Sequence, residues 1–262
     1  MKLLICGKGG SGKSTLAVLL ARSFAQMGRN VLLVDADESN QGLHRMAGAD
    51  KTVTLLEYLG GRKGLRPKRL PEPAGPACPM FYDRPFSLAE IPEACISIAG
   101  GVRLIKVGKI QRFEEGCACP MGGMLRQLLT HIRLGPEDRL IIDTAAGLEH
   151  FGRGVERFCD RIVGVIDPSF ESFKLAREMD RIAGDAGLAI SFVLNKADER
   201  VRTAMGDYVD PDRIIGDIPM SDVLFTAGLH GEPLDHPVPE ASALCRRLEA
   251  ERPQLSQPVS RS

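Results

Sequence analysis

The sequence predicts an α/β protein built on a mostly parallel β-sheet with helices on both faces. Three observations carry that expectation. First, short continuous apolar runs recur along the chain with helical patterns between them: Leu3–Cys6, Val31–Val34, Arg139–Ile142, Ile162–Ile166, Ile190–Leu194 and Ile214–Ile218. Strands covered on both faces read as unbroken apolar runs, whereas half-exposed strands alternate. Second, Gly7, Asp35, Asp143, Asp167 and Asn195 each stand just after a run, at the carboxyl ends of strands where such sheets place their ligands. Third, a glycine-rich segment joins the first run to the first helical pattern.

Taken in order, Met1–Gly7 has an apolar run too short for a signal peptide and leads directly into a charged loop, so it reads as a buried strand. Ser14–Met27 has helical spacing and is stopped by Gly28. From Gly60 to Pro92 the pattern breaks into a stretch rich in Pro, Gly, Lys and Arg, including Leu70–Pro76. It reads as a long irregular loop, which is either functional or a tolerated surface insertion. Ala241–Leu248 is again helical in spacing, and the chain beyond Pro253 is polar. The expected organisation is one domain over residues 1–250, with an irregular Pro-rich insertion at 60–95 and a polar tail at 251–262.

A chain of 262 residues can bury one sizeable core. It has 34 Lys and Arg against 34 Asp and Glu, so no global field draws it to nucleic acid or anionic lipid. No stretch reaches the roughly 18 apolar residues a membrane span requires. Neither nucleic acid nor membrane is therefore expected as a partner, and a cytoplasmic location is. Seven cysteines, an odd number without a secretory signal, favour metal binding or burial over disulfides.

Gly7-Lys8-Gly9-Gly10-Ser11-Gly12-Lys13-Ser14 matches G-x-x-x-x-G-K-[ST] between a strand and a helix, the setting the motif needs. The glycines let successive N–H groups of Gly9, Gly10, Ser11 and Gly12 turn toward phosphates, and the helix opening at Lys13, Ser14 and Thr15 adds its positive end. Lys13 is placed to reach the β- and γ-phosphates, and the Ser14 hydroxyl to bind magnesium. Leu140-Ile141-Ile142-Asp143 ends a strand on an acid, which makes Asp143 a second magnesium residue, acting through water. Gly147 follows where a segment must move when the γ-phosphate leaves.

Lys8 is an additional lysine early in the loop. With it, the segment resembles the MinD/ParA class of P-loop NTPases, whose variant loop reads Lys-Gly-Gly-x-Gly-Lys-Ser/Thr. The resemblance implies ATP with Mg2+ and a homodimer in which Lys8 crosses to the other subunit's phosphates. It further implies that Asp37, in Val34-Asp35-Ala36-Asp37, orients the attacking water while Asp35 supports the loop or the magnesium shell. Asn195-Lys196-Ala197-Asp198 has two readings. As N-K-x-D it reads guanine; in the resembled class Asn195 and Lys196 contact adenine. Pro219 corresponds to a residue packed on the base in that class, or simply ends a strand.

Glu115-Gly116-Cys117-Ala118-Cys119-Pro120 places two cysteines on a turn just before a helix, whose N-terminus favours thiolate. Two thiolates from one chain leave a tetrahedral site half built, and two chains complete it across a symmetry axis. Two unrelated structural cysteines fit the spacing as well. With Met1-Lys2-Leu3, Val107-Gly108-Lys109-Ile110, Ala146-Gly147-Leu148-Glu149-His150 and Arg153-Gly154, the chain resembles the CooC-type ATPases that mature carbon monoxide dehydrogenase. That resemblance implies a homodimer holding Ni2+ or Zn2+ at paired Cys117 and Cys119, and delivering nickel to apo carbon monoxide dehydrogenase or a related nickel enzyme. His150 is open to a structural or a metal-sensing role. Two other readings stand beside this one: an iron–sulfur electron-transfer ATPase like the nitrogenase iron protein, and a positioning ATPase of the MinD/ParA kind.

Overall fold

The computed structural model describes residues 1–38, 40–60, 84–108, 119–148 and 154–250, without the side chains of residues 119 and 120. Cys117, the segment 61–83, Glu149–Arg153, Lys109, Ile110 and the tail at 251–262 lie outside the described residues.

Eight strands form one sheet: β1 (Lys2–Gly7), β2 (Asn30–Ala36), β3 (Ser97–Ala99), β4 (Val102–Lys106), β5 (Asp138–Thr144), β6 (Arg161–Ile166), β7 (Ile190–Asn195) and β8 (Ile214–Ile218). Their order is β3-β4-β2-β5-β1-β6-β7-β8. Every pairing is parallel except β3 with β4. The expected fold class is therefore the observed one, and all six apolar runs are strands. The hairpin β3–β4 escaped the sequence reading. Its inner strand, Val102-Arg103-Leu104-Ile105-Lys106, carries two charges and presents no unbroken apolar run.

The helices are α1 (Lys13–Gln26), α2 (Leu43–Met46), α3 (Leu55–Tyr58), α4 (Cys119–His131), α5 (Phe170–Asp185), α6 (Glu199–Met205), α7 (Asp222–His230) and α8 (Pro239–Ala250). Helix α1 starts and stops one residue before its expected bounds. Its end follows from Gly28, held at φ +79, which lets Arg29 N–H return to the Phe24 carbonyl at 3.0 Å. Two short 3-10 turns, Leu88–Glu90 and Glu93–Cys95, lie within the last part of the expected 60–95 insertion and bury Leu88 and Cys95, so that part packs into the core instead of forming an irregular loop.

The pleat sends alternate residues to opposite faces, and the core divides accordingly. Leu3, Ile5, Val31, Leu33, Ile141, Val163 and Val165 pack with α1 and α8 on one face. Leu4, Cys6, Leu32, Val34, Leu140, Ile142 and Ile166 pack with α4 and α5 on the other. Glu249 of α8 accepts hydrogen bonds from both Arg29 and Arg139, tying α8 to the turn after α1 and to β5. Among the described residues no helix is long and apolar enough to cross a membrane.

One buried acid belongs to neither core. Glu156, in the 3-10 turn Glu156–Phe158, is 1% exposed, and burial pushes its carboxyl up to about 7. Its proximity in turn helps burial push the Cys6 thiol up to about 12. A carboxyl whose pKa rises on folding favours the folded state while protonated, and that contribution is lost as pH climbs. From its ordinary value of 4.5 to about 7, Glu156 should therefore make the protein progressively less stable. Urea unfolding at pH 5 and pH 8 should show wild type losing about 1–3 kcal/mol more than Glu156→Gln between the two. Parallel losses in the two proteins would contradict this placement of the charge.

Candidate functional site

The parallel strands end together on one edge, and β1 hands the chain to α1 through a loop with little steric freedom. At Gly7 (φ +148) a Cβ would lie 2.5 Å from the Val165 carbonyl oxygen. At Gly12 (φ +97) it would lie 2.1 Å from Asn195 Nδ2. Asn195 Nδ2 donates to the Ser11 carbonyl at 2.8 Å, so β7 is stitched to the back of the loop. Helix α1 begins after Gly12 with no side-chain cap. The N–H groups of its first turn have no intrahelical acceptor, which makes this end a seat for an anion.

A cavity of about 590 Å³ opens at that end, lined by Gly9, Gly10, Gly12, Lys13, Ser14, Thr15, Asp37, Asn195, Lys196 and Pro219 among others. The fold thus brings together most of the residues singled out from sequence. Ser11 is fully buried behind the loop, its N–H bonded to the Lys8 carbonyl at 3.2 Å. Lys8 is not on the cavity wall: its Nζ donates to Ser169 Oγ at 3.3 Å. Lys13 is 6% exposed and donates to the Lys8 carbonyl at 3.0 Å. Asp198 turns aside from the cavity; its carboxylate caps α6, accepting from Val201 N–H at 3.1 Å, and pairs with Arg200. The hydrogen bond from Arg200 and the cap hold that carboxyl below its ordinary range.

Ser14 Oγ donates to Asp143 Oδ2 at 2.6 Å and accepts from Asn40 Nδ2 at 2.9 Å. Asp143 is fully buried, and its Oδ1 has no partner. Burial, opposed by the Ser14 hydrogen bond, raises its carboxyl to about 7. Residues in register on parallel strands face the same side. The registers Asp35↔Asp143 and Asp35↔Lys106 therefore set a buried row of Lys106, Asp35 and Asp143 across β4, β2 and β5, on the face where α1 begins. A hydroxyl beside a buried carboxylate with an unsatisfied oxygen is a hard-oxygen donor set, and it fits magnesium. Asp37, 8% exposed, accepts from Asn40 N–H at 3.2 Å and stands at the cavity wall. Gly147, at φ +92, donates its N–H to the Gly7 carbonyl at 3.1 Å, joining the chain after β5 directly to the phosphate loop.

Several site residues escaped the sequence reading. Asn40 and Lys106 sit in no motif. Met46, Met220, Leu224, Phe225 and Leu229 add apolar side chains to the cavity lining, and all but Met46 lie on or just before α7. Ser169, the N-cap of α5, likewise belongs to no motif. Cys117 is outside the described residues; helix α4 does open at Cys119. Among the described residues no group of three or more His, Cys, Asp or Glu could hold a metal ion.

Comparison with known proteins places this geometry among relatives. A family model described as the CobQ/CobB/MinD/ParA nucleotide binding domain matches residues 3–234. An uncharacterized ATP-binding protein of Methanocaldococcus jannaschii is 41% identical over 235 residues, which cover 90% of this chain and 94% of that one. The carbon monoxide dehydrogenase accessory protein CooC of Rhodospirillum rubrum is 31% identical over 233 residues, 88% of each chain. In structure, the septum site-determining protein MinD of Pyrococcus horikoshii, complexed with Mg-ADP, is similar with a TM-score of 0.66 at 21% identity. That match covers 95% of both chains and bears on the fold.

The contact between Gly12 and Asn195 supplies a direct test of the cavity. Gly12→Ala demands both an unfavourable φ and displacement of the Asn195 amide. It should weaken binding of a fluorescent ATP analogue by about 100-fold, on the order of 3 kcal/mol. Unchanged affinity in a folded Gly12→Ala protein would remove the loop from the binding site.

Proposed function

The chain belongs to the CobQ/CobB/MinD/ParA nucleotide-binding family, and from that premise we propose an ATP-hydrolysing metallochaperone. It dimerises on binding ATP and metal, and it delivers nickel to an apo-metalloenzyme such as carbon monoxide dehydrogenase. The observation that carries the reading is the division of labour between the two loop lysines. Lys13 lines the cavity, whereas the Lys8 ammonium is 3.3 Å from Ser169 Oγ and off the cavity wall. A lysine in the phosphate loop that does not serve its own site is available to a second copy's.

In this reading the loop N–H groups, Lys13 and the start of α1 hold the triphosphate. Ser14 and Asp143 hold magnesium, which supplies charge neutralisation when bound. Asp37 orients water, and Lys8 of the facing subunit stabilises charge developing on the transferred phosphoryl group. Asn195, Lys196 and Pro219 border the base, with Asn195 also committed to the Ser11 carbonyl. The orientation of Asp198 away from the cavity favours adenine over guanine, since guanine readout needs that carboxylate. Likeness to the Rhodospirillum rubrum accessory protein supports the nickel-enzyme client. The cargo ion, nickel or zinc, would sit on Cys117 and Cys119 of two chains. Helix α4 opens at Cys119, and a helix N-terminus favours thiolate over thiol. The joint between Gly147 and Gly7 is a direct link from the phosphate loop toward the segment that leads on to Glu156.

Metal analysis and solution mass, with and without a non-hydrolysable ATP analogue, test the reading. Wild type should form a dimer holding about one metal ion for every two chains, in line with a four-thiolate site shared across the axis. Cys117→Ser and Cys119→Ser should bind nucleotide normally and lose that metal. Lys8→Ala should bind ADP as wild type does and lose about 100- to 1000-fold in kcat. Equal metal content in wild type and Cys117→Ser would overturn the metal site. Visible absorbance with bound iron and sulfide after anaerobic purification would replace it with an iron–sulfur carrier.

A further inference from the structure

Ser169 stands where three groups meet. It is the N-cap of α5, and its Oγ accepts from Ser172 N–H at 3.3 Å. The same oxygen accepts from Lys8 Nζ at 3.3 Å and donates its own proton to Asp167 Oδ1 at 3.1 Å. A hydroxyl has one donor and two acceptor positions, so this one is fully used. The Ser172 hydroxyl closes the motif by accepting from Asp167 N–H at 3.4 Å.

The electrostatics make this an uneasy place for a cation. Helix α5 runs for 16 residues, and the Lys8 ammonium lies at its positive end. A helix N-terminus disfavours positive charge. What offsets it is the Asp167 carboxylate, relayed through the Ser169 hydroxyl. Lys8, Asp167 and Ser169 are each half-buried, so the hold is partly screened by water.

We propose that Asp167 and Ser169 are positioning residues for Lys8. They keep its ammonium aside in the isolated protomer and set how readily it passes to the phosphates of a second copy. The proposal rests on the reading of Lys8 as a residue acting in trans. It assigns a role to Asp167-Pro168-Ser169 beyond ending a strand and capping a helix. The strength of the hold is then a threshold for ATP-dependent dimerisation, because each protomer must give up this contact to make the new one.

Two substitutions alter the hold in opposite directions while both retain the helix cap. Asp167→Asn keeps an acceptor for the Ser169 hydroxyl and removes the charge behind it. Ser169→Asp keeps a good N-cap and places a carboxylate directly on Lys8. With a non-hydrolysable ATP analogue, sedimentation should show Asp167→Asn dimerising about threefold more tightly than wild type. Ser169→Asp should dimerise about fivefold more weakly. Single-turnover hydrolysis at limiting protein should follow the same order, while ADP affinity and melting temperature stay at wild-type values. A purely structural role for the motif cannot move dimerisation both ways. If the two variants shift together, or not at all, while Lys8→Ala loses turnover, the positioning role fails and the trans reading of Lys8 stands. If Lys8→Ala dimerises and turns over like wild type, the trans reading fails and takes the positioning role with it.

Discussion

The close packing of the first loop against two neighbouring strands is the constraint on which the remainder of the site depends. Gly7 passes under the Val165 carbonyl and Gly12 under the Asn195 amide with no room for a Cβ. These contacts fix the loop from behind, through β6 and β7, so its free N–H groups can face only the open edge of the sheet. The absence of a capping side chain at α1 belongs to the same design. A capped helix would satisfy its own N–H groups and have less to offer a phosphate.

The second organising feature is a concentration of buried charge on one face. Alternation along the strands sends Asp35 and Asp143 to the side where α1 begins, among residues that are otherwise apolar. Burying carboxylates there is costly unless cations and hydrogen bonds answer them. Lys106, Lys13, Ser14 and Asn40 are the groups gathered around them. The Asp143 carboxyl is nonetheless pushed up to about 7, and one of its oxygens lacks a partner. A site in that condition is prepared to receive a divalent cation, which would lower the energy of the carboxylate form.

The phosphate loop is also tied to the chain beyond β5 and to the start of α5. Beyond β5 the chain touches the phosphate loop at Gly147, ahead of the 3-10 turn that holds Glu156. The 3-10 turn holding Glu156 packs on α4, the helix that opens at Cys119. Lys8 adds a link on the opposite side, from the loop to the N-terminus of α5.

The sequence by itself determined whatever depends on local spacing. Six of the eight strands, the glycine loop between β1 and α1, and the acids that close β2 and β5 are all legible because strand and helix periods and the loop motif span only a few residues. The β3–β4 hairpin was not legible, because charges interrupt its apolar run, and a local pattern cannot reveal that a buried Lys106 faces Asp35 on the next strand. Tertiary structure alone decided which distant residues answer the motif residues. Asn40 on Ser14, Asn195 on Ser11 and Ser169 on Lys8 join positions 26, 184 and 161 residues apart. Those partnerships follow from strand order and register, which bring chain ends together irrespective of their separation in sequence. They determine which way each lysine points, and no spacing rule contains that information.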